Sequence, residues 1–399
     1  MEQICDKKQC SGCQACKNIC PKQCITMKYD EYGVAYPSID QSSCVDCKAC
    51  EKVCPVNQPV EKRKAVRAYA AWHNDLTTRR RSASGGAAMA MYETMIEQGG
   101  VCFGTKFDPD LSLRIQSAET LEEVHAFRAS KYVQASVENS FRQTKDYLQD
   151  GRSVLYIGTP CQIAGLKNYL KKDYENLITV DLICHGVPSW QHLMDHVKYL
   201  NKDIQKQIDD ITFRGAYSFQ LSLYEGNNVV YQKDRFLDPY FTGFLEGLFY
   251  RENCYSCPYA CDERVSDITI GDFWGLGQEE PCAYNMGDGV SVLLPTTEKG
   301  FRFVETLKKK MFVDERPVSE AVHGNAQLMH PSERHPKYEE FRKLYVEQGF
   351  ENAAWECTKE QIKTYRKQSK PTLWKVGKRK AKSLLRKIKQ LLFSKEKEK

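Results

Sequence analysis

The chain has 399 residues, 41% of them hydrophobic and 11% aromatic. That is enough for two or three folded domains, and it excludes a collagenous, low-complexity or wholly disordered protein. Net charge is +6, but Pro371–Lys399 holds eleven Lys/Arg against Glu396 and Glu398, which leaves the rest at −3 and excludes the broad basic face of a nucleic-acid binder.

No apolar run approaches the roughly 18–20 residues of a membrane-spanning helix. The start, MEQICDKKQC, has no apolar stretch, which predicts no secretory signal and a cytoplasmic chain. Eighteen cysteines then point to metal or redox chemistry rather than to disulfides.

Ten of the cysteines fall in residues 1–59. Cys10, Cys13, Cys16 and Cys20-Pro21 follow a C-x2-C-x2-C-x3-C-P spacing, repeated by Cys44, Cys47, Cys50 and Cys54-Pro55. Three closely spaced thiolates wrap one iron–sulfur cubane, while the fourth cysteine, set apart before Pro, reaches the other one. The spacing predicts one 4Fe–4S cluster on Cys10, Cys13, Cys16 and Cys54, and a second on Cys44, Cys47, Cys50 and Cys20. Paired zinc knuckles are the bland alternative, but zinc ribbons use C-x2-C pairs, not four-cysteine runs. Residues 1–59 resemble a bacterial-type two-cluster ferredoxin, an α+β module, with Asp30–Gly33 as the turn between two short strands. Cys5 and Cys24 stand outside the pattern and read as small buried hydrophobes.

Asn57–Lys64 reads as a linker, and residues 65–370 alternate strand-like and helix-like segments. Strands are expected at 66–72, 101–107, 111–118, 153–158, 176–183, 267–271 and 290–295. Helices are expected at 86–98, 140–148, 162–172, 190–200 and 239–250. Three short runs at 211–214, 220–225 and 228–233 read as an antiparallel meander with Asn227–Asn228 in a turn. The pattern predicts an α/β domain with a mixed sheet.

Two more cysteines, Cys161 and Cys184, each follow a strand, and Cys254, Cys257 and Cys261 form a C-x2-C-x3-C run. Carboxyl ends of neighbouring strands open onto one crevice, so these five can supply a third metal site, with Cys261 as the spare. Taken singly, Cys161 and Cys184 read equally as packing residues. Ser84-Gly85-Gly86 opens a helix, where free amides can hold phosphate, and Arg79–Arg81 can add charge. An ordinary serine cap with a solvated basic run fits as well. Segments 130–134 (SKYVQ) and 271–275 (GDFWG) can line a pocket or form turns.

In this order, Ser84-Gly85-Gly86, Ser130-Lys131-Tyr132, Thr159-Pro160-Cys161-Gln162, Cys184, Cys254-x2-Cys257 and Asp267–Asp272 resemble the coenzyme F420 hydrogenase/dehydrogenase beta-subunit family, placed behind a ferredoxin module. The resemblance covers roughly residues 1–295. It implies an FAD-binding domain over residues 60–370 with its own 4Fe–4S cluster on Cys161, Cys184, Cys254 and Cys257. It also implies that Ser84, Gly85, Gly86 and Lys131 face the flavin. The expected activity is that of a flavin- and iron–sulfur-dependent oxidoreductase with an external redox partner: a ferredoxin, NAD(P)H or a deazaflavin. The competing class is an electron-transfer subunit without a substrate of its own. His185 is the one acid–base candidate, and a structural role beside Cys184 fits it better.

Residues 371–399 place Leu384, Leu385, Ile388, Leu391 and Leu392 at helical spacing against Lys and Arg. That is the pattern of a basic amphipathic helix on an anionic membrane surface, here the inner face. Packing of the same stripe on the body or a partner is the alternative.

Overall fold

The computed structural model describes residues 3–214 and 219–369; the expected basic helix of the tail lies outside them. At the front, α1 (Ala15–Ile19) and α2 (Ala49–Val53) close the two cysteine runs. Between them β1 (Ile25–Tyr29) pairs antiparallel with β2 (Ala35–Ile39). Asp30 sets their turn, its Oδ1 accepting from the amides of Tyr32 and Val34 at 3.1 and 2.9 Å, a short side chain replacing missing backbone partners. The segment read as a linker is held: Arg63–Lys64 pairs antiparallel with Glu263–Arg264.

The body begins with β3 (Ala68–His73), α3 (Ala87–Glu97), β4 (Val101–Phe107), β5 (Leu113–Ala118) and β6 (Val154–Gly158). It continues with α4 (Pro160–Leu170), β7 (Leu177–Leu182) and α5 (Trp190–Ile204). The expected meander follows as β8 (Asp210–Arg214), β9 (Phe219–Glu225) and β10 (Asn228–Asp234), then α6 (Pro239–Leu245). The chain ends in β11 (Ile268–Asp272), β12 (Ser291–Pro295), β13 (Met311–Arg316), α7 (Tyr338–Gln348) and α8 (Phe350–Ser369).

Eight of these strands make one mixed sheet in the order β13-β3-β12-β11-β7-β6-β4-β5. Neighbours from β11 through β7 and β6 to β4 are parallel, and the outer pairs are antiparallel. The parallel strands are the near-continuous apolar runs, because helices cover both faces there. The meander forms a separate three-stranded sheet. Its turn is Gly226–Asn227, one residue earlier than expected, since Glu225 faces Asn228 and Gly226 takes a φ of +57°. Helix α6 stops at Leu245, short of the expected Tyr250, and Gly247 turns the chain at φ +63°.

Helix α8 is fastened by an ion network that has no exposed atom at its centre. His196 of α5, 0% exposed, meets Glu351 through Nδ1 (2.7 Å) and Asp238 through Nε2 (3.0 Å), and Tyr231 donates to the same Asp238 oxygen at 2.7 Å. Burial works against the imidazolium, but Asp238 and Glu351 outweigh it and raise its pKa from 6.5 to about 9. A raised histidine pKa contributes stability that is complete below 6.5 and is lost as pH climbs through about 9. Replacement His196→Asn leaves a buried carboxylate unpaired and is expected to cost about 3–5 kcal/mol. Thermal unfolding of both proteins across that pH window checks it: the gap should narrow as pH rises.

Candidate redox site

The front module gathers its cysteines into two groups drawn from both runs. Cys10, Cys13, Cys16 and Cys54 act on one another electrostatically. Cys20, Cys44, Cys47 and Cys50 line one small void. Burial lifts the Cys13 thiol to about 12, and binding to a metal is what removes such a proton. Among the described residues no three His, Cys, Asp or Glu side chains converge as a single metal ion would require; a cubane spreads its ligands over four irons.

The two extra cysteines pack as small hydrophobes: Cys24 is buried with its Sγ 3.4 Å from Cys20 Sγ, and Cys5 packs partly buried against the same cluster. The module also packs on the body, with Lys17–Glu138 at 2.7 Å and Arg142 Nε donating to Asn18 O at 2.7 Å.

The third group sits where the parallel strands end. Cys161 lies in the first turn of α4, just after β6, and Cys184 lies two residues past the end of β7. Gln162 fixes that helix start: its Oε1 accepts from the Thr159 amide at 3.0 Å, and its Nε2 donates to Ala135 O at 3.1 Å. Cys254 and Cys257 belong to the short turn after Arg251. All four thiols line one void of about 30 Å³. Burial lifts Cys184 to about 12 and Cys257 to about 11. Cys261 points elsewhere, near Lys62 Nζ (3.5 Å) and Glu263 O (3.2 Å).

Arg264 ties the turn to the sheet. Its Nη2 donates to Asp181 at 3.0 Å and to Leu182 O at 3.1 Å, while Nη1 reaches Tyr259 O at 2.6 Å. The helix that bears Cys161 also packs closely on the first module group: a Cβ on Gly165 of α4 would stand 3.1 Å from Cys13 Sγ.

A cavity of about 260 Å³ runs along the same strand ends, and Cys161 and Cys184 form part of its wall. Ser84, Gly86 and Lys131 line it, as do Ser130–Gln134, Gly271, Asp272 and Trp274. The amino end of α3 opens toward it with no side chain capping its amides, a natural anion site. Arg128 lines the cavity with its buried Nε unpartnered among the described residues. Lys131 Nζ donates to the carbonyls of Arg128 (2.7 Å) and Ala126 (3.3 Å), and burial pulls its pKa down to about 7. At the other end Arg214 pairs with Asp272 at 2.8 Å, and Trp274 is 55% exposed.

Two expected contributors stand apart from the cavity. Gly85 faces the sheet, where a Cβ would come within 2.4 Å of Ala71 O and 2.6 Å of Ser291 N. Arg79 is spent on Gly289 O (2.6 and 2.9 Å), and Arg80 on Asp288. His185 lines the cavity with its pKa lowered by burial.

Residues 151–321 match the family model for the carboxyl-terminal part of the coenzyme F420 hydrogenase/dehydrogenase beta subunit, and residues 9–58 match the 4Fe-4S dicluster domain. No curated protein matches the chain. Thirteen solved chains do. One comes from the F420-reducing NiFe hydrogenase complex of Methanosarcina barkeri: 17% identical, TM-score 0.44, covering 78% of this chain and 95% of that one. By these two matches the chain is an iron–sulfur protein that carries a 4Fe-4S dicluster domain in front of a region similar to the carboxyl-terminal part of the coenzyme F420 hydrogenase/dehydrogenase beta subunit.

Proposed function

We propose that the chain is an iron–sulfur flavoprotein oxidoreductase with three 4Fe–4S clusters and one FAD. What carries this reading is a shared wall. Cys161 and Cys184 border both the main cavity and the four-cysteine void, and the helix bearing Cys161 touches Cys13 of the module. Cavity, third group and first group are thus contiguous.

The donor sets fit the groups assigned to them. Four thiols on two strand ends and one turn suit a cubane. The unpartnered Arg128, Lys131 and the α3 amides suit phosphates, and Ile157, Val133 and Ile270 give the apolar wall that a ring system needs. A bound flavin accepts a hydride as two electrons and releases them singly, as iron–sulfur clusters require. The chain's own side chains divide the remaining work. Arg128 and Lys131 hold the anionic end, Tyr132 and the apolar wall exclude water, and Trp274 with Arg214–Asp272 receives the hydride partner at the rim. Cys47 is exposed, so the second module cluster is the one an external one-electron carrier meets.

Anaerobic mixing with NADH, NADPH or a reduced deazaflavin tests the reading. Flavin bleaching followed by cluster EPR signals is expected with one of them. If dithionite reduces the clusters but no hydride donor bleaches a flavin, the protein is a carrier subunit instead.

A further inference from the structure

Arg251 is the largest of the fully buried side chains among the described residues, at 1% exposure. Its Nη1 donates to Ala35 O (2.8 Å) and Gln134 Oε1 (3.1 Å), its Nη2 donates to Cys10 O (3.1 Å), and its Nε has no partner among the described residues. The guanidinium lies 4.7 Å from the Tyr36 ring centre. Every one of these acceptors is neutral. A guanidinium stays charged when buried, and a buried charge demands an opposite one.

The backbone and the side chain of Arg251 belong to different groups of cysteines. Its amide donates to Val187 O at 3.1 Å, and its carbonyl accepts from the Cys254 amide at 2.9 Å, inside the loops that carry Cys184 and Cys254. The side chain crosses into the Cys10–Cys13 turn. Gly12 sits there at φ +67°, and a Cβ on it would stand 3.0 Å from Arg251 Cζ and 2.7 Å from Gln134 Nε2. The turn is shaped around the guanidinium.

We propose that Arg251 is the fixed counter-cation of the junction between the cluster on Cys161, Cys184, Cys254 and Cys257 and the cluster on Cys10, Cys13, Cys16 and Cys54, raising the reduction potential of both. This rests on the three-cluster reading above. Each cluster gains negative charge on accepting an electron, so a cation fixed in a poorly polarisable interior favours the reduced form of both neighbours. The cluster on Cys20, Cys44, Cys47 and Cys50 lies beyond its contacts and keeps its own potential. Arg251 is a positioning and tuning residue, not a ligand.

The test is an EPR-monitored redox titration of the full-length protein, purified without oxygen, as wild type, Arg251→Lys and Arg251→Met. In Arg251→Met two midpoints should move to more negative values, and the third should stay. Arg251→Lys keeps the charge but not the three hydrogen bonds, so it should restore most of both shifts; a merely structural role predicts that Lys fails as Met does. Should Arg251→Met not retain its iron, the neutral but hydrogen-bonding Arg251→Gln takes its place. Unchanged midpoints in an iron-replete neutral variant overturn the proposal alone. About eight irons in the wild type would overturn the three-cluster reading and this proposal with it.

Discussion

Cys184→Ala protein, purified without oxygen, is expected to lose about four of about twelve irons per chain, while Cys261→Ala keeps them all. Cys184 stands two residues beyond β7, with its thiol in the void shared by Cys161, Cys254 and Cys257. Cys261 is turned toward Lys62 and Glu263 instead. A cubane short of one thiolate is exposed to loss, whereas the eight module cysteines are untouched by either change. The variant should also uncouple the two halves of the protein. Hydride donors would still bleach the flavin, but reduction of the module clusters should slow by orders of magnitude, because the middle carrier is gone. Iron analysis with rapid-freeze EPR reads both effects. Full iron retention in Cys184→Ala would place another ligand in the site.

Arg128→Met is the second large expectation: flavin affinity should fall about 10–100-fold, the loss of a charge-assisted hydrogen bond worth about 1.5–3 kcal/mol. The unusual part is what should not change. Arg128 Nε is buried and unpartnered in the cavity wall, so removing it relieves a desolvated donor instead of stranding one. The variant without flavin should therefore unfold no earlier than the flavin-free wild type. Fluorescence titration of the stripped proteins with FAD, beside their melting curves, checks both halves. Equal affinity would remove Arg128 from the binding set.

Much of this arrangement can be read from residue spacing because cysteine ladders are a local code. The spacing predicts the interleaving of Cys54 with Cys10, Cys13 and Cys16, and these four thiols are near enough to act on one another electrostatically. Cys161 and Cys184 are legible because apolar runs mark buried parallel strands and both residues come just after such runs. Strand β13 and helices α7 and α8 are absent from the expected elements. MFVDER mixes charges into its run, α7 buries only Tyr338 and Phe341, and the stripe that α8 buries is largely alanine, cysteine and threonine.

Single arginines give no signal at all. Arg79, Arg128, Arg251 and Arg264 look alike in a sequence, yet one braces a loop, one lines the cavity, one bridges two cysteine groups and one ties a turn to the sheet. Their roles depend on contacts between residues up to 241 positions apart, which no local pattern encodes. The resemblance assigns Gly85 to the flavin; its missing Cβ serves the close approach to Ala71 and Ser291 instead.

The most direct check on the central claim is flavin and iron per chain in the anaerobically purified wild type. The account predicts one FAD and about twelve irons. About eight irons and no flavin would contradict it, and would leave a two-cluster carrier whose four body cysteines hold nothing.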